Sequence, residues 1–300
     1  MASEAQVPAI RLKPTGRLAR RQAFSAISRY VLLVMTLTGV SVLAFLAVDT
    51  VSQGAGRLSW EFLTSYPSRF AEEYGFRSGI LGTTYVVATT LLLTIPLGVG
   101  TAIWIEEYAP RNRFTSIVKL NIANLAGVPT IIYGILGLAV FVRFLEFGST
   151  IIAAACTLSL MILPMVVITA QEAIRQVPPS IRDGSLALGA TRWQTIRHHL
   201  LPGAMPGIIT GLILATSRAA GETAALIMIG AAVFVAFDPS IGPSGLNDPF
   251  SLLPIQIYGN IIAPRNQGFE ETAAGGIIVM MVGILTLNLT AAIIRERFRR

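Results

Sequence analysis

Five stretches of the chain, 30–48, 78–105, 120–142, 147–171 and 272–294, contain no Asp, Glu, Lys or Arg, and a sixth that begins at 200 is interrupted only by Arg218 and Glu222. Each is near or above the ~20 residues that cross a bilayer as a helix. Hydrophobic residues make up 53% of the sequence and charged residues 13%, and the charges gather in short clusters between the runs. This pattern predicts an all-α integral membrane protein with six transmembrane helices. A net charge of +7 is compatible with nucleic-acid binding, but the basic residues flank apolar runs and form no aromatic-interleaved patch, so no nucleic acid is expected as a partner. The expected surroundings are membrane lipid.

The basic residues also give an orientation. Arg11, Lys13, Arg17, Arg20, Arg21 and Arg29 precede the first run; Arg111, Arg113 and Lys119 follow the second; Arg175, Arg182, Arg192 and Arg197 follow the fourth; Arg295, Arg297, Arg299 and Arg300 close the chain. The alternate loops hold only Arg57, Arg69, Arg77, Arg143 and Arg265. An excess of Lys and Arg marks cytoplasmic loops, so both termini are expected to be cytoplasmic in a multi-pass cell-membrane protein. The expected organisation is a basic tail over 1–29, an uncleaved anchor helix over 30–51, a core over 75–294 and a basic tail over 295–300. A seventh crossing within 200–237 would put the closing "RERFRR" outside, so one span followed by outer or re-entrant structure is preferred.

Pro96, Pro129 and Pro164 fall inside spans, where each removes a backbone hydrogen bond and favours a kink. The outer loop over 238–271 is broken by Pro and Gly, and its "LLPIQIYGNII" segment fits either a helix along the membrane surface or an ordinary loop. The lone Cys156 lies mid-span and is expected to pack as a small apolar residue.

Arg218 and Glu222 are four residues apart, on one face of a continuous helix, and each alone would cost about 2.5–3.5 kcal/mol or more at the bilayer centre. They are expected to pair and face the protein interior. Arg218 offers a guanidinium fork suited to anion oxygens, held by Glu222; the other reading is a fixed structural bridge, and the pathway role is preferred. Thr130 is a second candidate, because a half-helix starting after Gly127-Val128-Pro129 would aim free N–H groups into a cavity. A kinked helix in which Thr130 bonds its own backbone fits the sequence equally well.

The longest inner loop, "EAIRQVPPSIRDGSLALGATRWQTIRHHLLP", carries two helix starts, one from Pro179 with Ser180 and Asp183, the other from Thr191 with Gln194, separated by a left-handed stop at Gly189. Leu186 and Leu188 are apolar anchors among polar neighbours, as in helices that dock into a groove. His198 and His199 are adjacent and point apart, which fits interfacial contacts better than a metal site.

The spacing of this loop resembles the EAA loop of ATP-binding-cassette importer permeases: Glu-Ala-Ala, three residues, Gly, nine residues, Ile, one residue, Leu-Pro. Gly189, Leu201 and Pro202 occupy matching positions, while Asp183, Gly184 and Ser185 replace Glu-Ala-Ala and His199 replaces Ile. "IEEYAPRNR", "NLAGVPTIIYGILGLAVF", "LALGATRWQTI", "LPGAMPGIITG", "SRAAGETA" and "LLPIQIYGNI" resemble, in that order, the PstA-type permease of the phosphate importer, over about 75–294. Ala225 stands where that family usually has Pro.

The resemblance implies a type I (MetI-like) permease fold with a coupling loop over 172–202, and inorganic phosphate as substrate. It also implies a PstC-like second permease subunit, a PstB-like ATPase dimer and a PstS-like phosphate-binding protein. The only lysines, Lys13 and Lys119, lack the glycine frame of a nucleotide-binding loop. The chain is therefore expected to be non-catalytic and to hold no cofactor, with ATP and Mg bound by the partner ATPase. An external motor fits the load, since moving an anion into a negative cell costs about 2.3 kcal/mol per charge per 100 mV. A permease for molybdate, sulfate or phosphonate is the nearer alternative, and a non-transport membrane protein such as a sensor the farther one.

Overall fold

The computed structural model describes residues 16–240, 242–263 and 268–299. Arg11, Lys13, Arg265 and Arg300 of the charge pattern, and residues 1–15 of the basic tail, lie outside the described residues. The chain divides into a unit ending at Thr50 and a second starting at Val51. The first is helical from Gly16, as part of α1 (Gly16–Gly54). The anchor helix thus begins ahead of the predicted span and takes Arg20, Arg21 and Arg29 into its first turns.

The second unit follows α1 with α2 (Trp60–Thr64), α3 (Arg77–Ile103), α4 (Arg113–Ala126), α5 (Thr130–Gly137), α6 (Ile151–Arg175), α7 (Pro179–Ala187), α8 (Arg192–Thr195), α9 (Leu201–Gly221), α10 (Ala224–Ile229), α11 (Leu253–Ile261) and α12 (Phe269–Arg299). Among the described residues there is no strand, only an isolated bridge between Thr150 and Pro249. Widened π turns extend α3 over Trp104–Tyr108 and α5 over Leu138–Phe144, and join α8 to α9 over Ile196–Leu200.

Five helices are long and apolar enough to cross a membrane, and α4 with extended α5 makes a further candidate bent by 101°. Neighbouring contacts decide whether that bent pair crosses. Thr94 Oγ1 donates to Ser159 Oγ at 2.8 Å, Thr90 Oγ1 reaches the Ala155 carbonyl at 3.4 Å, and Gln171 Nε2 donates to Glu106 at 3.1 Å. Residue numbers rise together on both helices, so α3 and α6 run parallel. A parallel pair needs a returning segment between its members, and α4 and α5 supply it. The bent pair is therefore a broken sixth span. Pro96 and Pro164 sit within unbroken α3 and α6, whereas Pro129 marks the break.

α9 packs antiparallel on α6 through small residues. A Cβ on Gly203 would stand 3.3 Å from Val177 Cγ2, one on Gly207 would stand 2.7 Å from Ala173 Cβ, and one on Gly211 would collide with Thr169. Without a hydrophobic drive between helices in lipid, close van der Waals approach of this kind is what holds spans together. α12 continues the bundle, with Ser217 Oγ donating to Asn288 Oδ1 at 2.7 Å.

The segment after α9 departs from both readings of the outer loop. Leu253 through Ile257 are buried, Gln256 Nε2 donates to Ser78 and Ser251 at 3.0 Å, and the Leu253 N–H reaches Thr83 Oγ1 at 2.9 Å. α11 is thus an internal helix packed on α3 and α12, not a surface one. An interfacial helix needs a charged outer face, and this one carries no charge to place there.

At the same end Arg77 Nε donates to both oxygens of Asp238, at 2.9 and 3.0 Å, with the guanidinium 5.6 Å from the Tyr66 ring centre. The Arg77 hydrogen bonds hold the Asp238 carboxyl below the usual carboxylate range.

Gly207→Leu is expected to force α6 and α9 apart and to destabilise the subunit by about 1–3 kcal/mol, seen as a lower unfolding temperature in detergent. Because the folded pKa of Asp238 is depressed, its clamp is complete above the ordinary value of about 3.9 and is lost as pH falls through the lower, folded one. Hydrogen exchange of amides 230–240 should therefore be faster in Asp238→Asn than in wild type at neutral pH, by the few-fold that an exposed pair supports, and the two should converge in acid.

Candidate functional site

α9 stops at Gly221, and Glu222 is extended with ψ 125°. Its carboxylate turns forward and accepts the Ala225 N–H at 3.2 Å, capping α10. An i,i+4 pair requires unbroken helix, and among the described residues no ion pair joins Arg218 to Glu222. The expected pair is therefore replaced by a cap. Nor does Arg218 face the interior of this chain: it is exposed, while its neighbours Ala215, Thr216, Ala219 and Ala220 are buried. The rise of 1.5 Å per residue puts Arg218 about 10 Å past the contact of Gly211 with Thr169, level with the middle of α6.

The second candidate lies beside it. α5 starts at Thr130 behind Pro129, whose φ of −57° and ψ of 139° end the preceding turn, and no side chain caps its first N–H groups. One turn on, Tyr133 is buried, with its hydroxyl donating to the Leu125 carbonyl at 2.7 Å. A Cβ on Gly134 would stand 2.7 Å from the Ala225 carbonyl oxygen, so α5 and α10 touch backbone to backbone. The break before Thr130 and the break after Gly221 are thus brought together. Ala225, where the family usually has Pro, is the residue that Gly134 packs on.

The loop over 172–202 folds as two short helices with a left-handed stop, Gly189 at φ 86°. Thr191 and Gln194 form a reciprocal capping box. The first start signal works differently from its expectation: Pro178 is the N-cap, Pro179 follows it, and no side chain caps α7, so Ser180 and Asp183 stand inside the helix. Ser185 is buried and its hydroxyl meets Thr195 Oγ1 at 2.9 Å, tying α7 to α8. Asp183, Gly184, Pro202, His198 and His199 are exposed and Leu201 is half-buried. Leu188 is 90% exposed, and Ile181, Leu186 and Trp193 are also exposed. Exposed apolar side chains of this kind mark an interaction surface.

Sequence reasoning passed over Glu106 and Glu107. Glu106, 13% exposed, accepts from Lys119 at 3.3 Å, Gln171 at 3.1 Å and Arg175 at 2.8 and 3.0 Å. Glu107, 10% exposed, pairs with Arg182 of α7. Two adjacent acids at the edge of an apolar span, inside an otherwise basic boundary, were the available signal. Beside Glu106 opens a cavity of about 900 Å³ lined also by Arg111, Asn112, Arg113, Lys119 and Arg175.

Residues 94–300 match the family of binding-protein-dependent transport system inner membrane components. The chain is 36% identical to the probable ABC transporter permease protein YqgI of Bacillus subtilis (strain 168), over 84% of this chain and 87% of that one. It is 33% identical to the phosphate transport system permease protein PstA 1 of Mycobacterium tuberculosis (strain ATCC 25618 / H37Rv), over 76% and 71%. The bacterial alginate ABC transporter, solved with its alginate pentasaccharide-bound periplasmic protein, superposes with a TM-score of 0.67 at 16% identity, over 94% of this chain and 98% of that one. The inward-facing MetNI methionine ABC transporter gives 0.56 at 18%, over 74% and 97%. These two structures support the MetI-like fold alone. An importer permease implies an ATPase and a substrate-binding protein as partners. With its helices so arranged and the match so extensive, the chain belongs to the binding-protein-dependent transport system inner membrane components, as a multi-pass ABC importer permease subunit of the PstA type.

Proposed function

We propose that this permease imports inorganic phosphate, paired with a PstC-like permease and served by a PstB-like ATPase dimer and a PstS-like phosphate-binding protein, with both of its termini cytoplasmic. The observation that carries the reading is Arg218: an exposed guanidinium at mid-span beside two adjoining helix breaks. A charge on the lipid side at that depth is unfavourable by several kcal/mol, so its exposed face belongs against a partner subunit or a wet path. Arginine matches the oxygens of a tetrahedral oxyanion bidentately, and the uncapped start of α5 at Thr130 adds a positive dipole end nearby. Glu222, held at the start of α10, keeps negative charge close enough to weaken anion retention and permit release. Relatives named as phosphate permeases favour phosphate among oxyanions. The basic residues gathered at the Glu106 end support its assignment as the cytoplasmic side.

The exposed apolar group of Leu186, Leu188, Ile181 and Trp193 fits a coupling surface for the ATPase, with Asp183, Gly184 and Ser185 shaping α7, Gly189 turning the chain and Leu201 with Pro202 leading into the span. ATP and Mg stay with that ATPase, and this chain contributes the path and the handle.

A second reading, another oxyanion, has its own support, since the name of the Bacillus subtilis relative specifies no substrate and the guanidinium fork suits sulfate or molybdate as well. Uptake of labelled phosphate by the complete complex in proteoliposomes, with sulfate, molybdate and phosphonate as competitors, separates the two. Phosphate is expected to be taken up with ATP, and Arg218→Gln is expected to lower uptake at least tenfold in assembled complexes. Uptake unchanged in assembled Arg218→Gln would remove Arg218 from the path, and uptake of another oxyanion alone would reassign the substrate. Leu188→Asp is expected to leave the subunit folded, because that side chain is almost fully exposed, while weakening ATPase retention at least tenfold on size-exclusion chromatography.

A further inference from the structure

Glu106 and Glu107 are consecutive but serve different elements. The widened turn over Trp104–Tyr108 sends one carboxylate toward α4 and α6 and the other toward α7. Glu106 gathers Lys119 of α4 with Gln171 and Arg175 of α6, while Glu107 takes Arg182 of α7. α7 otherwise packs mainly on α8 and the π turn after it. Between α7 and the end of α3 lies a cavity of about 190 Å³ lined by Glu106, Glu107, Arg182, Leu186, Arg192 and Thr195. α7 itself is thus joined to the end of α3 by a charge pair beside a space, while Val177, Ile196 and Leu200 elsewhere in the loop share an apolar cluster with Ala102 of α3.

A nearly buried carboxylate is strongly destabilised if it loses its cation. Moving α7 must therefore either drag the end of α3 or hand Glu107 to another cation, and Arg192 lines the same cavity. The present pair also leaves a donor unused, because Arg182 Nε is buried without a hydrogen-bond partner. Glu106 also holds Lys119 of α4, whose far end is the break before Thr130.

We propose that the Glu107–Arg182 pair carries movement of the coupling loop into α3, and that Glu106 distributes it to α4 and α6, so that these acids are positioning residues for transport. The inference rests on reading 172–202 as the loop an ATPase moves. The same loop would then exchange Glu107 between Arg182 and Arg192 during the cycle.

The test uses the complete complex in nanodiscs in a Cys156→Ser background, with spin-label pairs at Ser180 and Ile293 to follow α7, and at Ser116 and Ile293 to follow α4. ATP with vanadate is expected to shift both distances in the parent complex. Arg182→Gln and Glu107→Gln are expected to keep the α7 shift and to reduce the α4 shift at least twofold. The exchanged pair, Glu107→Arg with Arg182→Glu, is expected to restore it. Uptake per ATP hydrolysed should fall at least tenfold in the single variants while their α7 shift is kept, and recover in the exchanged one; a merely structural role would lose the α7 shift as well. A full α4 shift in Arg182→Gln, whose partly exposed side chain makes it the variant best able to fold, would overturn the proposal. Absence of any α7 shift in the parent would instead overturn the reading of the loop. The distances need no transported substrate, so an error about phosphate leaves this test intact.

Discussion

The parallel packing of α3 on α6 is the contact from which the rest of the arrangement follows. Small and hydroxylated residues allow it: Thr90, Thr94 and Ser159 are buried along the seam, and Gly98 lies against Val166. In lipid such close approach with internally satisfied hydroxyls is favourable where bulky apolar packing adds little over lipid itself. Two spans running the same way need a return, and α4 with α5 is that return, broken at Gly127–Pro129. The break puts an uncapped helix start inside the membrane. Backbone irregularity at that depth is tolerated only against protein or a wet cavity.

The second break follows the same logic. α9 is held to α6 by Gly203, Gly207 and Gly211, which places Arg218 at mid-span and ends the helix at Gly221. Glu222 then accepts the Ala225 N–H of α10, so its charge is used locally and Arg218 is left exposed. Gly134 against Ala225 locks the two breaks side by side. Under the proposed phosphate path this division is useful, since a tight internal Arg218–Glu222 pair would compete with the substrate for the guanidinium.

Much of this was legible in the residues. Charge-free runs located the spans because few charges survive in lipid, and Gly189, Thr191 and Gln194 announced the handle through rules that act over three residues. Thr130 was legible as a helix start because Gly127 and Pro129 break the chain whatever surrounds them. The failures were those of context. The i,i+4 rule for Arg218 and Glu222 assumed a helix that Gly221 ends, and Pro178 with Pro179 took over the role assigned to Ser180. α11 reads as a loop or surface helix because its burial depends on Ser78, Gly79 and Thr83, from 170 to 178 residues earlier. The three π turns left no composition signal. One of them orients Glu106 and Glu107, which is why those acids stayed hidden in a segment whose resemblance was plain.

What stands against Arg218 in the assembled importer decides whether the guanidinium meets the anion. The most direct measurement is a cryo-electron microscopy map of the complete complex with phosphate-loaded binding protein, trapped with ATP before hydrolysis. The account predicts a continuous polar passage reaching Arg218 and the start of α5, with tetrahedral anion density within hydrogen-bond distance of the guanidinium. A map in which Arg218 forms a sealed ion pair with the second permease, and the anion passes elsewhere, would contradict it.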